Sequence, residues 1–323
     1  MMSAGGDRTF KIHHSKFIIY MHIGLTGATG FIGGKIIDLA LRRGHEVIAF
    51  TRDPSRKIPG CEMRAFSSEA VPDIAGCEAF IHLAGEPVVG LWTAAKKRRI
   101  TESRVLGTRR VVEAINAARD KPEVLLSGSA IGFYGDRGEA ELTETSPAGT
   151  GFLAETVQAW EAEAHRAEDV RIVTLRTAIV LGKHGGALAP MTPIFKLGLG
   201  GPLGDGRQWM SWIHLHDLAQ LALFAIENLD LRGPLNGSAP WPARNADFTK
   251  TLAQTLHRPA FLRVPAFALR SALGGFSHEL LDSKRVLPAA AIDHGFRFQY
   301  PELQPALANL LGSVQAPVLA AVD

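Results

Sequence analysis

Gly27-Ala28-Thr29-Gly30-Phe31-Ile32-Gly33 follows the apolar run Ile23-Gly24-Leu25-Thr26 and opens a helical pattern that runs from Phe31 to Arg43. Three glycines at this spacing, between a buried strand and a helix, form the start of a dinucleotide-binding βαβ unit. Gly27 permits the tight turn after the strand, Gly30 lets backbone approach a pyrophosphate, and Gly33 lets helix and sheet pack closely. The diphosphate is expected on the unpaired amides that begin the helix, with Thr29, Phe31 and Ile32 as the other contacts of the loop. A turn that holds no nucleotide is the competing reading. The strand, helix and next strand at suitable distances weigh against it.

Working outward, Glu46–Thr51, Cys77–Leu83, Glu123–Ser127 and Arg171–Arg176 read as further strands. Helical patterns over 92–118, 153–166 and 215–228 separate or follow them. Strands alternating with helices longer than about ten residues imply an α/β fold, a Rossmann-type parallel sheet with helices on both faces. Between Gly182 and Trp209 glycine and proline are frequent, so an excursion with little regular structure is expected near 183–210. The dinucleotide-binding domain is placed at 21–240. Helical patterns at Asp247–Leu256 and Pro265–Leu273 mark a smaller C-terminal lobe, 241–323, expected to close over the substrate. Residues 1–20 read as a loose extension, with Met21 as the start of the folded unit.

The end of the second strand selects the nucleotide. A carboxylate there holds the adenine ribose hydroxyls of NAD, whereas an arginine accommodates the 2′-phosphate of NADP. The sequence is Thr51-Arg52-Asp53, with Arg56 close behind. Arg52 favours NADP(H); Asp53, one residue on, keeps NAD(H) open. Leu83-Ala84-Gly85 follows another buried strand and is expected beside the adenine ribose, although Gly85 could equally serve only to turn the chain.

Composition excludes several classes. The 323 residues are 46% hydrophobic and 21% charged, with 35 basic against 32 acidic residues, as in a soluble enzyme. The short run Lys96-Lys97-Arg98-Arg99 reads as a solvated helix face, so no nucleic-acid partner is expected. Two cysteines, Cys61 and Cys77, offer no disulfide framework or metal site and fit a reducing, cytoplasmic setting. No apolar stretch reaches the ~20 residues of a membrane helix.

The loop from Thr26 to Gly33, with His82-Leu83-Ala84-Gly85, resembles the extended short-chain dehydrogenase/reductase superfamily. Further stretches resemble its atypical branch, the NAD-dependent epimerase/dehydratase-like "epimerase family" proteins. They are Ser129-Ala130-Ile131-Gly132-Phe133-Tyr134-Gly135, Phe152-Leu153-Ala154-Glu155, Trp209-Met210-Ser211-Trp212-Ile213-His214 running to Asp217-Leu218, Pro259, Pro265, and Gly295-Phe296-Arg297-Phe298. The resemblance spans about Met21 to Leu311. It departs at Gly275-Phe276, where relatives often carry Gly-Glu.

The resemblance implies a serine that holds the substrate oxygen, a tyrosine that transfers the proton, and a lysine four residues later that binds the nicotinamide ribose. A phenol with a pKa of about 10 needs such a cation to act at neutral pH. Ser129 matches the serine. The other positions hold Phe152 with Thr156, or Leu153 with Val157 in the alternative register, and neither pair can move a proton. Tyr134 and Glu155 are the substitute candidates; a lining role for Tyr134 and a helix-start role for Glu155 compete with catalysis. Lys97, Arg104 and Glu86 are candidate ligand contacts, Arg104 toward a cofactor phosphate or an anionic substrate.

Other residues read structurally. His214 and His216 alternate as in a strand, without a third metal ligand. Asp217 reads as a helix cap, Trp209 and Trp212 as pocket wall or core, and Asn236-Gly237 as a turn after a short strand. The resulting expectation is an NADP(H)-dependent oxidoreductase or nucleotide-sugar-epimerase-like enzyme acting on a small polar molecule. The superfamily also implies a homodimer. The rival is an NADP(H)-binding regulatory or scaffold protein that has lost turnover.

Overall fold

The computed structural model describes residues 20–312. The expected N-terminal extension therefore lies, except for Tyr20, outside the described residues. The first part of the chain runs β1 (His22–Thr26), α1 (Phe31–Arg42), β2 (Glu46–Thr51), β3 (Cys61–Ala65), β4 (Ala79–His82), α2 (Ala94–Ala117), β5 (Val124–Ala130), a 3-10 turn (Ile131–Tyr134), β6 (Glu141–Leu142), α3 (Phe152–Ala164) and β7 (Arg171–Thr177). There follow β8 (Ile179–Gly182), β9 (Gly185–Gly186), α4 (Leu188–Lys196), β10 (Trp209–Met210), β11 (Trp212–His214), α5 (Leu215–Glu227) and β12 (Gly233–Gly237). The C-terminal part adds β13 (Ala243–Arg244), α6 (Asn245–Thr255), α7 (Ala266–Leu273), α8 (Ser277–Leu281), β14 (Arg285–Val286), α9 (Ala289–Asp293) and α10 (Leu303–Leu311).

Seven strands form one sheet in the order β12-β7-β5-β4-β1-β2-β3. Every pairing in it is parallel. From β1 the chain winds outward through β2 and β3, then returns to start β4 on the other side of β1. This reversal leaves a crevice at the carboxyl ends of β1 and β4, where open α/β sheets bind their ligands.

Burial on both faces explains why these strands read as continuous apolar runs. On one face, Ile36, Leu39 and Ala40 of α1 and Leu218, Leu221 and Ala222 of α5 cover Ile23, Leu25, Ile81 and Leu126. On the other, Val111 and Ile115 of α2 cover Phe50, Phe80 and Leu125. Each of the larger of these side chains contributes about 1.5–3 kcal/mol on full burial. A third cluster, with Leu188, Trp212, Phe248, Leu252 and Leu307, makes the core of the C-terminal lobe. Among the described residues no helix is long and apolar enough to cross a membrane.

Several expectations are corrected. Asn236-Gly237 is not a turn: these residues end β12, in register with Arg176 and Thr177. His214 and His216 do not share a strand. His214 ends β11 and caps α5, its Nδ1 accepting the His216 N–H at 3.0 Å. Asp217 therefore does not cap that helix; its carboxylate accepts the N–H groups of Gln299 (2.9 Å) and Tyr300 (2.8 Å). Trp212 is fully buried core, and Trp209 lies between the guanidinium groups of Arg244 and Arg285. The excursion after Gly182 holds a real helix, α4, and β3 is an additional edge strand.

Candidate functional site

Gly27 turns with φ of 74°, and a Cβ there would meet the carbonyl carbon of Leu83 at 3.0 Å and the amide of Ala84 at 3.1 Å. The loops after β1 and β4 thus touch backbone to backbone at the crevice. Gly33 is equally constrained: its Cβ would lie 2.2 Å from the Gly27 carbonyl oxygen. Gly30 closes the turn by donating its N–H to that carbonyl at 2.9 Å. Thr29 and Gly30 are exposed, Phe31 and Ile32 half-buried, and no side chain caps the start of α1. The first amides of α1 consequently face the crevice without internal partners, which suits an anion.

Two supports fix this loop. The Thr26 hydroxyl accepts the N–H groups of Leu83 (3.1 Å) and Ala84 (3.2 Å), so its own proton points to His82 Nδ1, 2.7 Å away. Burial holds His82 neutral, with its pKa pulled down to about 4. The Phe31 ring occupies space that Gly182 and Gly185 leave open, since a Cβ on either would fall 2.2 and 2.4 Å from it.

At the end of β2, Arg52 and Arg56 are exposed and make no ion pair among the described residues. Asp53 is occupied: its carboxylate accepts the Ser55 N–H at 3.1 Å and hydroxyl at 2.5 Å, and these bonds hold it below the usual carboxylate range. Thr51 is half-buried beside them. Across the crevice, Leu83 and Ala84 are half-buried and Gly85 is exposed. Arg104 lies against Gly85, 3.5 Å from where a Cβ would sit, with its guanidinium 5.2 Å from the Trp160 ring centroid. One of its nitrogens donates to the Glu86 and Ile100 carbonyls. Burial brings its pKa down to about 10, so it stays charged at neutral pH.

The polar centre beyond β5 differs from the sequence expectation. Ser129, 4% exposed, donates its hydroxyl to Glu161 Oε1 at 2.5 Å. Glu161 also accepts both Nε and Nη2 of Arg176, each at 2.8 Å. Arg176 donates in turn to the Tyr134 hydroxyl at 2.9 Å, and that hydroxyl donates to Asn236 Oδ1 at 2.7 Å. Tyr134 is fully buried, and both roles of its hydroxyl are taken; burial raises its pKa. It stands inside the protein as a link between β5, β7 and β12. Glu155 is exposed in the first turn of α3, and no polar contact among the described residues joins its side chain to Ser129.

Leu153 and Val157 pack on Gly132, on the helix face that carries Glu161 toward Ser129. Phe152 and Thr156 turn to α2, where Thr156 meets the Thr101 hydroxyl at 3.1 Å and Phe152 meets Trp92 and Lys97. Both registers are thus visible in space, and neither carries a phenol or an amine. Glu161 and Arg176 are the site residues that sequence reasoning passed over. A cavity of about 380 Å³, lined by His22, Gly76, Cys77, Glu78, Lys121 and Glu123, lies at the amino ends of the strands. The three-glycine loop and the first turn of α1 stand at the opposite, carboxyl ends, so the crevice there is the candidate site.

Two family profiles and several known proteins match this chain. The profile of the NAD dependent epimerase/dehydratase family matches residues 23–236, and that of a domain of unknown function (DUF1731) matches residues 264–310. An Arabidopsis thaliana chloroplastic homologue of epimerase family protein SDR39U1 is 39% identical, over 90% of this chain and 87% of its own length. Epimerase family protein YfhF of Bacillus subtilis is 38% identical, over 90% of this chain and 98% of its own. The crystal structure of human epimerase family protein SDR39U1 (isoform 2) with NADPH superposes with a TM-score of 0.85 at 33% identity, covering 91% of this chain and all of that one.

Proposed function

Since the chain belongs to the NAD dependent epimerase/dehydratase family, the extended short-chain dehydrogenases, we propose that it binds NADP(H) in the crevice between β1 and β4 and reduces a small carbonyl substrate. The observation that carries this reading is the two exposed arginines, Arg52 and Arg56, without a close ion pair among the described residues, beside an Asp53 engaged chiefly by Ser55. A phosphate on the adenine ribose would give these guanidinium groups a close, strongly charged anion, and phosphate suits their planar fork. The human relative crystallised with NADPH supports the same choice.

When bound, the reduced dinucleotide supplies a hydride. The chain's own part is to bind, orient and exclude water. The α1 amides receive the diphosphate, and Arg104, partly desolvated beside Gly85, adds a cation on the same side. Ser129 commits its proton to Glu161 at 2.5 Å, so toward a ligand its Oγ can only accept, from the hydroxyl of the alcohol form of the substrate. Arg176 neutralises that carboxylate, and Tyr134 positions Arg176. Glu161, the carboxylate beside Ser129, is held in an ion pair by Arg176, so the proton comes from solvent.

The same absence of a Tyr–Lys pair favours one other reading, a cofactor-binding regulator without turnover. Anaerobic incubation with NADPH and a panel of aldehydes, ketones and nucleotide sugars separates the two. Protein- and substrate-dependent loss of absorbance at the reduced nicotinamide band supports the enzyme. Tight NADPH binding with no oxidation across the panel supports the regulator.

A further inference from the structure

Three aromatic rings from three separate parts of the chain converge at the carboxyl-end side of the sheet. Trp92 ends the loop after β4, Phe152 begins α3, and Phe276 belongs to the C-terminal lobe. The Trp92 and Phe152 centroids lie 5.1 Å apart, and Trp92 and Phe276 5.9 Å apart, both edge to face. The indole N–H is already committed to the Val88 carbonyl at 2.7 Å, which fixes the Trp92 ring. Gly275 makes the approach of the lobe feasible, since a Cβ there would sit 3.2 Å from Trp92. All three rings are half-buried, and the same loop exposes Val89 and Leu91. The three rings, packed edge to face, make this wall apolar.

Charge at the wall is single. Lys97 lies 5.1 Å from the Phe152 centroid and makes no ion pair among the described residues. The neighbouring cations are taken: Lys96 and Arg99 pair with Glu86, Arg98 with Glu102, and Arg176 with Glu161. Arg137 spends its guanidinium on the carbonyls of Tyr134, Pro147 and Ala148. A diphosphate needs several cations, which this wall lacks. One anionic group against Lys97 is matched.

The geometry points to a subsite for a planar aromatic ring carrying one carboxylate-like group, with Trp92, Phe152 and Phe276 as the ring's contacts and Lys97 as the anion's. Aromatic carbonyl acids are then the substrate class, and nucleotide sugars are not. This deepens the reading above and rests on it for the reaction, though the subsite itself needs no cofactor.

Calorimetry tests it with naphthalene-2-carboxylate, its neutral amide, cyclohexanecarboxylate and UDP-glucose, each titrated with and without saturating NADPH. The carboxylate is expected to bind more tightly than the amide by about fivefold, the size of one partly exposed ion pair. Lys97→Met should abolish that difference while leaving binding of the amide unchanged. Phe152→Leu should weaken both naphthalenes by about two- to tenfold, about one aromatic contact. Cyclohexanecarboxylate should bind more weakly than either. UDP-glucose binding more tightly than the naphthalenes, or a Lys97→Met protein that still prefers the carboxylate, overturns the subsite. Failure of NADPH to bind refutes the cofactor reading separately, because the titrations without NADPH still report on the wall.

Discussion

Replacing Glu161 with glutamine isolates the buried ion pair at the centre of the site. The substitution keeps shape and volume but removes the charge that faces Arg176. In the native protein Glu161 is 7% exposed, Arg176 is 4% exposed, and three hydrogen bonds reach the carboxylate, from Ser129 at 2.5 Å and from Arg176 at 2.8 Å twice. The guanidinium also lies 3.5 Å from the Phe133 centroid, so without Glu161 it is a buried charge against an aromatic face. Leaving one partner of such a pair uncompensated costs about 3–5 kcal/mol. With a urea slope of about 1–3 kcal/mol per molar, the midpoint should fall by about 1 M or more. Glu161→Gln with Arg176→Met removes both charges, and this double variant should lose clearly less than the sum of the two singles, because the orphaned charge is gone. Equilibrium urea unfolding at pH 7 followed by tryptophan fluorescence measures both. A single variant within 1 kcal/mol of the native protein, by the same scale, or strict additivity in the double, would refute the reasoning.

Gly33→Ala should lower dinucleotide affinity by tenfold or more, since its Cβ would press into the Gly27 carbonyl at 2.2 Å and displace the loop; unchanged affinity by calorimetry would count against that packing. Burial pulls His82 and His214 from 6.5 down to about 4. The unfolded chain takes up a proton at each below pH 6.5 that the folded chain refuses until about 4, so stability is full above 6.5 and falls on acidification. Between pH 6.5 and 5 the loss is about 2 kcal/mol per histidine. The pH slope of urea midpoints should shrink in His214→Asn, and an equal slope in variant and native protein would contradict it. Burial pushes the Cys77 thiol up to about 12, so iodoacetamide at pH 7.5 should spare Cys77 in the native protein and alkylate it in urea; native labelling read by peptide mass spectrometry would contradict its burial.

Where one physical signal dominates, the sequence predicts the structure well. The glycine loop, β1, α1 and β2 lie within a residue or so of their expected ends, because buried parallel strands and an amphipathic helix leave strong patterns. β3, Cys-Glu-Met-Arg-Ala, escapes because it is a sheet edge with partly exposed faces and no apolar run. The end of β12 escapes because Asn236-Gly237, after a short strand, imitates a turn; Pro234 is tolerated there since the strand pairs only with β7. In the site, the missing Tyr–Lys pair is legible, whereas Glu161 and Arg176 are joined only by folding. A signal for them does exist. Glu161 continues the buried spacing of Ala154, Val157 and Ala164, and Arg176 interrupts the apolar end of β7. A charge on an apolar face implies a buried partner.

The central claim is that the crevice grips a dinucleotide and that Arg52 and Arg56 read its extra phosphate. Calorimetry with NADPH and NADH on the native protein and on a variant carrying Arg52→Ala and Arg56→Ala tests it most directly. The account predicts NADPH favoured by tenfold or more in the native protein, and near-equal affinities in the variant through loss of NADPH binding alone. Binding of neither nucleotide, or an NADH preference in the native protein, would contradict it.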